Sequence, residues 1–130
     1  MKKPKKVKSH EEILKAFIIA SLRRASYRWP PRNQAMTDAR LSRGIYKCAS
    51  CQGTFSKKDI QLDHKDPIIP VTGWDGWEGF INRLFCKAEG YQVVCSSCHS
   101  VKTLVENTER KMNRDKKKLD KSISYDIIDE

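Results

Sequence analysis

Two cysteine pairs, Cys48 and Cys51 in KCASC and Cys95 and Cys98 in VVCSSCHSVKT, constrain this chain more than anything else in it. Each CxxC step brings two sulfurs to one point, and four thiolates suit a tetrahedral zinc ion while leaving it no open position for substrate. The pairs stand 44 positions apart, counted from Cys51 to Cys95. A zinc shared between them is therefore a scaffold that ties two halves of a small fold together, not a catalyst. Between the pairs lies an Asp63-His64 step in QLDHKDPIIP, and His99 directly follows Cys98. Such a zinc has no use for those oxygen and imidazole groups, which leaves them free for chemistry.

A chain of 130 residues is one domain's worth, small enough that a metal staple helps it materially. Its 26 Lys and Arg against 16 Asp and Glu give a formal charge of +10, which favours a polyanion as partner over an acidic small molecule. The excess is spread over both ends and the stretch from Arg23 to Arg43. Five cysteines without an export signal read as four ligands and one spare, Cys86, rather than as a disulfide framework. The opening MKKPKKVKSHEEILKAFIIASL has the basic-then-apolar order of a signal peptide. However, Glu11, Glu12 and Lys15 interrupt the run, and Ile13, Leu14, Phe17, Ile18 and Leu22 recur at helical spacing, so an amphipathic helix is the better reading. No stretch approaches membrane-crossing length, and the expected location is cytoplasmic.

Along the chain, residues 1–8 form a basic leader, too charged to pack and expected to stay disordered until they meet phosphate. Residues 9–119 form a single domain with a metal core at about 46–110, and residues 120–130 are a tail. A first helix is predicted from Ser9 to Tyr27, with Ser9 and Glu12 spaced as a capping box and Pro30 and Pro31 as its stop. Arg24, Arg28 and Arg32 lie four apart, as if to line one edge towards a phosphate backbone. A helical turn from Thr37 to Arg43 ends at Gly44, and Ile45 and Tyr46 lead as a strand into a knuckle, CASCQGTFS, where Gly53 is expected to permit the tight turn. Ile60, Leu62 and His64 alternate with Gln61 and Asp63 in a second strand. DPIIPVTGWDGW is turn and loop; Trp74 and Trp77 are expected to cover the core. Trp77, Phe80, Ile81, Leu84 and Phe85 carry a short amphipathic helix, and Tyr91, Val93 and Val94 a strand into the second knuckle. Beyond Cys98 the pattern is helical again, with Val101, Leu104 and Val105 on the inner side. The fold class is α+β.

The run from Tyr46 to Thr103, with YKCASCQGTF, QLDHKDPIIPVTG and GYQVVCSSCHSVKT in that order, resembles the HNH endonuclease family in its zinc-stapled form, particularly the small enzymes of tailed bacteriophages. The resemblance covers nearly half of the chain. It implies a ββα-metal core, here with an added N-terminal helix, that grips one divalent ion. His64 matches the family's general base, Asp63 a metal ligand and His99 the second ligand. The middle position, usually asparagine, falls on Gly90, and Asn82 in the preceding helix could supply an amide instead. The resemblance further implies hydrolysis of double-stranded DNA to 5'-phosphate and 3'-hydroxyl ends, and a role beside the large subunit of a phage terminase.

These residue types suit that chemistry. Water attacks a phosphodiester only if something takes its proton, and an imidazole titrating near neutral pH is suited to that task. A cation held by Asp63 and His99 would offset the charge gathering on the phosphate and the departing oxygen. Magnesium needs few protein ligands, and a mixed oxygen and nitrogen set also accepts manganese or nickel. Lys65, Arg83, Lys102 and Arg28 are candidates for phosphate contacts that position a duplex without reading it. A binding module that grips nucleic acid and cuts nothing is the alternative, with His64 and His99 as packing groups.

Overall fold

The computed structural model describes residues 2–128, with side chains as far as residue 122. Ser9 opens helix α1 (His10–Ser26), its hydroxyl accepting the Glu12 amide at 3.2 Å, as the capping pattern predicts. Pro30 and Pro31 do more than end that helix: they open a second, α2 (Pro30–Ala39). Proline is pre-set for the first helical turn, where its missing amide would have no partner anyway. The helical turn expected over Thr37 to Arg43 is instead the end of α2 followed by β1 (Arg40–Ser42), and Gly44, at φ +75°, turns the chain into β2 (Ile45–Lys47).

Strand β2 pairs antiparallel with β1 on one side and β3 (Thr54–Ser56) on the other. The knuckle between β2 and β3 closes with Cys48 N–H donating to the Gly53 carbonyl at 2.9 Å and Gln52 N–H to the Cys48 carbonyl at 3.0 Å. The left-handed residue is Gln52, at φ +64°, not Gly53. Glycine is needed at 53 for a different reason: a Cβ there would stand 2.9 Å from the Phe55 ring.

A second sheet pairs β4 (Ile60–His64) with β5 (Tyr91–Cys95) antiparallel, setting Ile60 opposite Cys95, Asp63 opposite Gln92 and His64 opposite Tyr91. Tyr91, Val93, Val94 and Cys95 are all buried, so β5 is the strand around which the domain closes. Tyr46, Ile60 and Val93 form one apolar cluster, with Met36 of α2 against it. Between β4 and β5 run a loop over residues 65–76, helix α3 (Trp77–Leu84) and a 3-10 turn (Ala88–Gly90). Phe80 and Leu84 of α3 are fully buried. Trp74 sits edge-on to Trp77 at 4.9 Å and tilted on Phe80 at 5.3 Å, but Trp77 remains 38% exposed and rims this cluster rather than covering the core.

Helix α4 (Ser96–Ile128) follows Cys95 without a break and continues through the segment expected to be a tail. The expectation for its inner face is overturned: Val101, Leu104 and Val105 are 62%, 67% and 50% exposed. The inward side is polar and carries Cys98, Lys102, Glu106, Arg110 and Asn113, three or four residues apart. Cys98 must face the other sulfurs, and that requirement fixes the roll of the helix against its apolar period. The loop answers with carbonyls: Arg110 donates to Ile69 at 3.0 Å, Asn113 to Val71 at 3.0 Å and Lys117 to Thr72 at 2.8 Å. No helix among the described residues is long and apolar enough to cross a membrane.

Candidate metal centre and adjacent cleft

Cys48 and Cys51 come from the β2–β3 knuckle, Cys95 from the end of β5 and Cys98 from the first turn of α4. All four sulfurs lie within 4.8 Å of one another, and Cys51 Sγ is 4.0 Å from Cys95 Sγ. Sulfurs 2.3 Å from a tetrahedral zinc would stand roughly 3.8 Å apart, so the set fits that ion closely. The Ala49 amide locks the knuckle to β5 by donating to the Val93 carbonyl at 2.8 Å.

Burial acts to raise the Cys48 thiol, but backbone hydrogen bonds from Cys51, Cys95 and Ser50 outweigh it and bring its pKa down to about 6. Cys98 is pushed the other way, to about 12, first by its hydrogen bond with Cys95 and then by burial and the remaining thiols. Sulfurs this crowded cannot all ionise unless a cation shares their charge, and a zinc ion would supply it. The result is a small α+β domain with a four-cysteine metal centre.

A cleft of about 450 Å³ opens where β4 ends, lined by Asp63, His64, Pro67, Ile68 and Ile69, by Lys102, Glu106 and Arg110 of α4, and by Arg23 of α1. Asp63 is largely buried, and its two oxygens have different neighbours. Oδ2 is held by Lys102 Nζ at 3.0 Å and Gln92 Nε2 at 3.3 Å. Oδ1 faces His99 Nε2 at 3.9 Å, too far for a hydrogen bond. Adjacent ligands of one octahedral ion with bonds of about 2.1 Å stand about 3.0 Å apart, so the two atoms would have to draw together to share such an ion. Lys102 also donates to Glu106 at 2.5 Å and to the His64 carbonyl at 3.1 Å. Its ammonium loses solvation in the cleft, but the carboxylates of Glu106 and Asp63 more than offset that and hold its pKa above the ordinary lysine value.

His64 is oriented by the backbone. Its Nε2 lies 3.1 Å from the Leu84 carbonyl, and its ring is tilted on Tyr91 at 4.7 Å. A carbonyl only accepts, so Nε2 carries the proton and Nδ1 keeps the lone pair whenever the ring is neutral. Burial lowers the His64 pKa below 6.5; the Leu84 bond works against that, and the nearby Arg32 charge adds to it. Leu84 ends α3, where carbonyls have no helical partner, and it also accepts the Tyr91 hydroxyl at 3.1 Å.

The structure thus brings Asp63, His64 and Lys102 into one cleft, with His99 beside Asp63. Asn82 lines a small hollow with His64, but no hydrogen bond joins the two. Gly90 accommodates Cys86: a Cβ at 90 would stand 2.7 Å from the Cys86 sulfur, so asparagine does not fit there without movement. Cys86 is the spare thiol, only partly buried, and burial raises its pKa. Arg83 is committed to the Ile68 carbonyl at 2.7 Å and to Asp75 at 2.5 Å. Lys65 lines a different hollow, with Ala35, Asp38 and Gln92, and Arg28 is exposed between α1 and α2. Glu106, Arg23, Arg110 and the Leu84 carbonyl were not evident as site groups from spacing alone. Comparison of the chain with family models, curated proteins and solved structures finds no match.

Proposed function

We propose that this chain is a zinc-stapled nucleic-acid-binding domain that cuts what it holds, a metal-dependent endonuclease of the HNH type. The observation that carries the reading is the placement of Asp63 Oδ1 3.9 Å from His99 Nε2, in a cleft that His64 also lines. An antiparallel β4–β5 pair followed in the chain by α4 is the order of elements that a ββα-metal core would use. A divalent ion held by Asp63 and His99, magnesium, manganese or nickel, would stabilise negative charge on a phosphate and its leaving oxygen.

The chain's own groups divide the remaining work. His64 takes a proton from the attacking water at Nδ1, because Nε2 is committed to Leu84. Lys102 and Gln92 hold Oδ2 of Asp63 and thereby aim Oδ1 at His99. The +10 charge supplies affinity for double-stranded DNA without reading its sequence. A phage terminase large subunit belongs to the same proposal as a partner.

A binding module that cuts nothing is the second reading, and one observation favours it. The four cysteines are the only group of three or more metal-capable side chains found together among the described residues. Calorimetric titration of manganese into the zinc-loaded protein separates the two readings. The nuclease reading expects one further site per chain that Asp63→Ala removes; heat of binding that is absent, or unchanged in the variant, supports the binder.

A further inference from the structure

The cleft holds more cations than its carboxylates neutralise. Lys102 is compensated by Asp63 at 3.0 Å and Glu106 at 2.5 Å. Arg110 has only neutral partners, the Ile69 carbonyl at 3.0 Å and Asn107 Oδ1 at 3.3 Å. Arg23 is exposed on α1, lines the same cleft, and makes no side-chain hydrogen bond or ion pair among the described residues. Three cations therefore face two carboxylates, and the surplus guanidinium points at no protein acceptor.

We propose that Arg23 and Arg110 form a phosphate clamp that seats a DNA phosphodiester over Asp63 and His64, which makes the N-terminal helix part of the binding site. This rests on the nucleic-acid reading above but not on cleavage. A guanidinium presents paired N–H donors in a plane that matches two phosphate oxygens. Arg110 is anchored through the loop carbonyl while Arg23 is free to close onto the ligand, so the clamp has one fixed jaw and one mobile jaw. Asp63 and Glu106 repel a diester that slides too deep, and this sets its depth in the cleft.

The test is binding of a short fluorescent DNA duplex by anisotropy, without divalent ion, across a salt series. The protein is zinc-loaded, and the variants are Arg23→Gln, Arg23→Lys and, as a charge-matched control that does not line this cleft, Arg43→Gln. The clamp predicts that Arg23→Gln weakens binding about tenfold, the loss of a charged hydrogen bond, and flattens the salt slope by about one unit. Arg23→Lys should recover part of the affinity, and Arg43→Gln should lose much less. Equal losses in Arg23→Gln and Arg43→Gln, or parent-like binding by Arg23→Gln, overturn the clamp. Parent protein that does not bind the duplex overturns the clamp and the nucleic-acid reading together. Parent protein that binds the duplex but leaves it intact when magnesium, manganese or nickel is then added, with the Arg23 effect intact, keeps the clamp and rejects only the nuclease.

Discussion

At the scale of single residues, His64 is a neutral imidazole held in place by the end of a helix. Its pKa is lowered in the fold, so between 6.5 and that lower value the unfolded chain binds a proton that the folded one refuses. Stability should therefore fall as pH drops through this window and level off below it. Thermal midpoints of the parent and of His64→Gln between pH 7 and pH 5 check this: the parent should lose more over the window, and parallel curves would contradict it. Gly90 makes a second prediction. Gly90→Ala drives a methyl into the Cys86 sulfur and should cost about 1–3 kcal/mol by denaturant titration, with Cys86→Ala recovering part of the loss. The four-cysteine cluster was legible because the identity and spacing of its residues carry their chemistry. The partner that orients His64 was not, because any residue at position 84 offers the same carbonyl.

At the scale of elements, α4 shows where hydrophobic period misleads. Its apolar residues repeat as an inner face would, yet the helix is rolled so that Cys98 meets the sulfurs and Lys102 meets Asp63. Leu104→Gln should then change stability by no more than about 0.5 kcal/mol. An inner Leu104 would cost several kcal/mol in the same urea titration. Helix α2 was missed for the opposite reason. A proline pair reads equally as a stop and as a start, and only the packing of Ala35 and Met36 decides for a helix. Strands β4 and β5 were readable because β4 alternates and β5 is an apolar run leading into the second knuckle.

At the scale of the whole molecule, the sulfur cluster joins three separate parts of the chain: the β2–β3 knuckle, the end of β5 and the start of α4. Removing zinc with a strong chelator should release one equivalent per chain and lower the thermal midpoint sharply, since metal binding and folding are one equilibrium in small stapled domains. Loss of metal without loss of the cooperative transition would mean that the apolar clusters suffice alone. A charge of +10 would make any affinity for a duplex fall steeply with salt, but charge alone does not separate a binder from an enzyme. Cleavage of supercoiled plasmid does. The zinc-loaded protein, with and without magnesium, manganese or nickel, is compared with a folded His64→Ala variant. Metal-dependent nicking or linearisation that is lost in the variant is the predicted result; a plasmid bound by both proteins and left intact under every metal would contradict it.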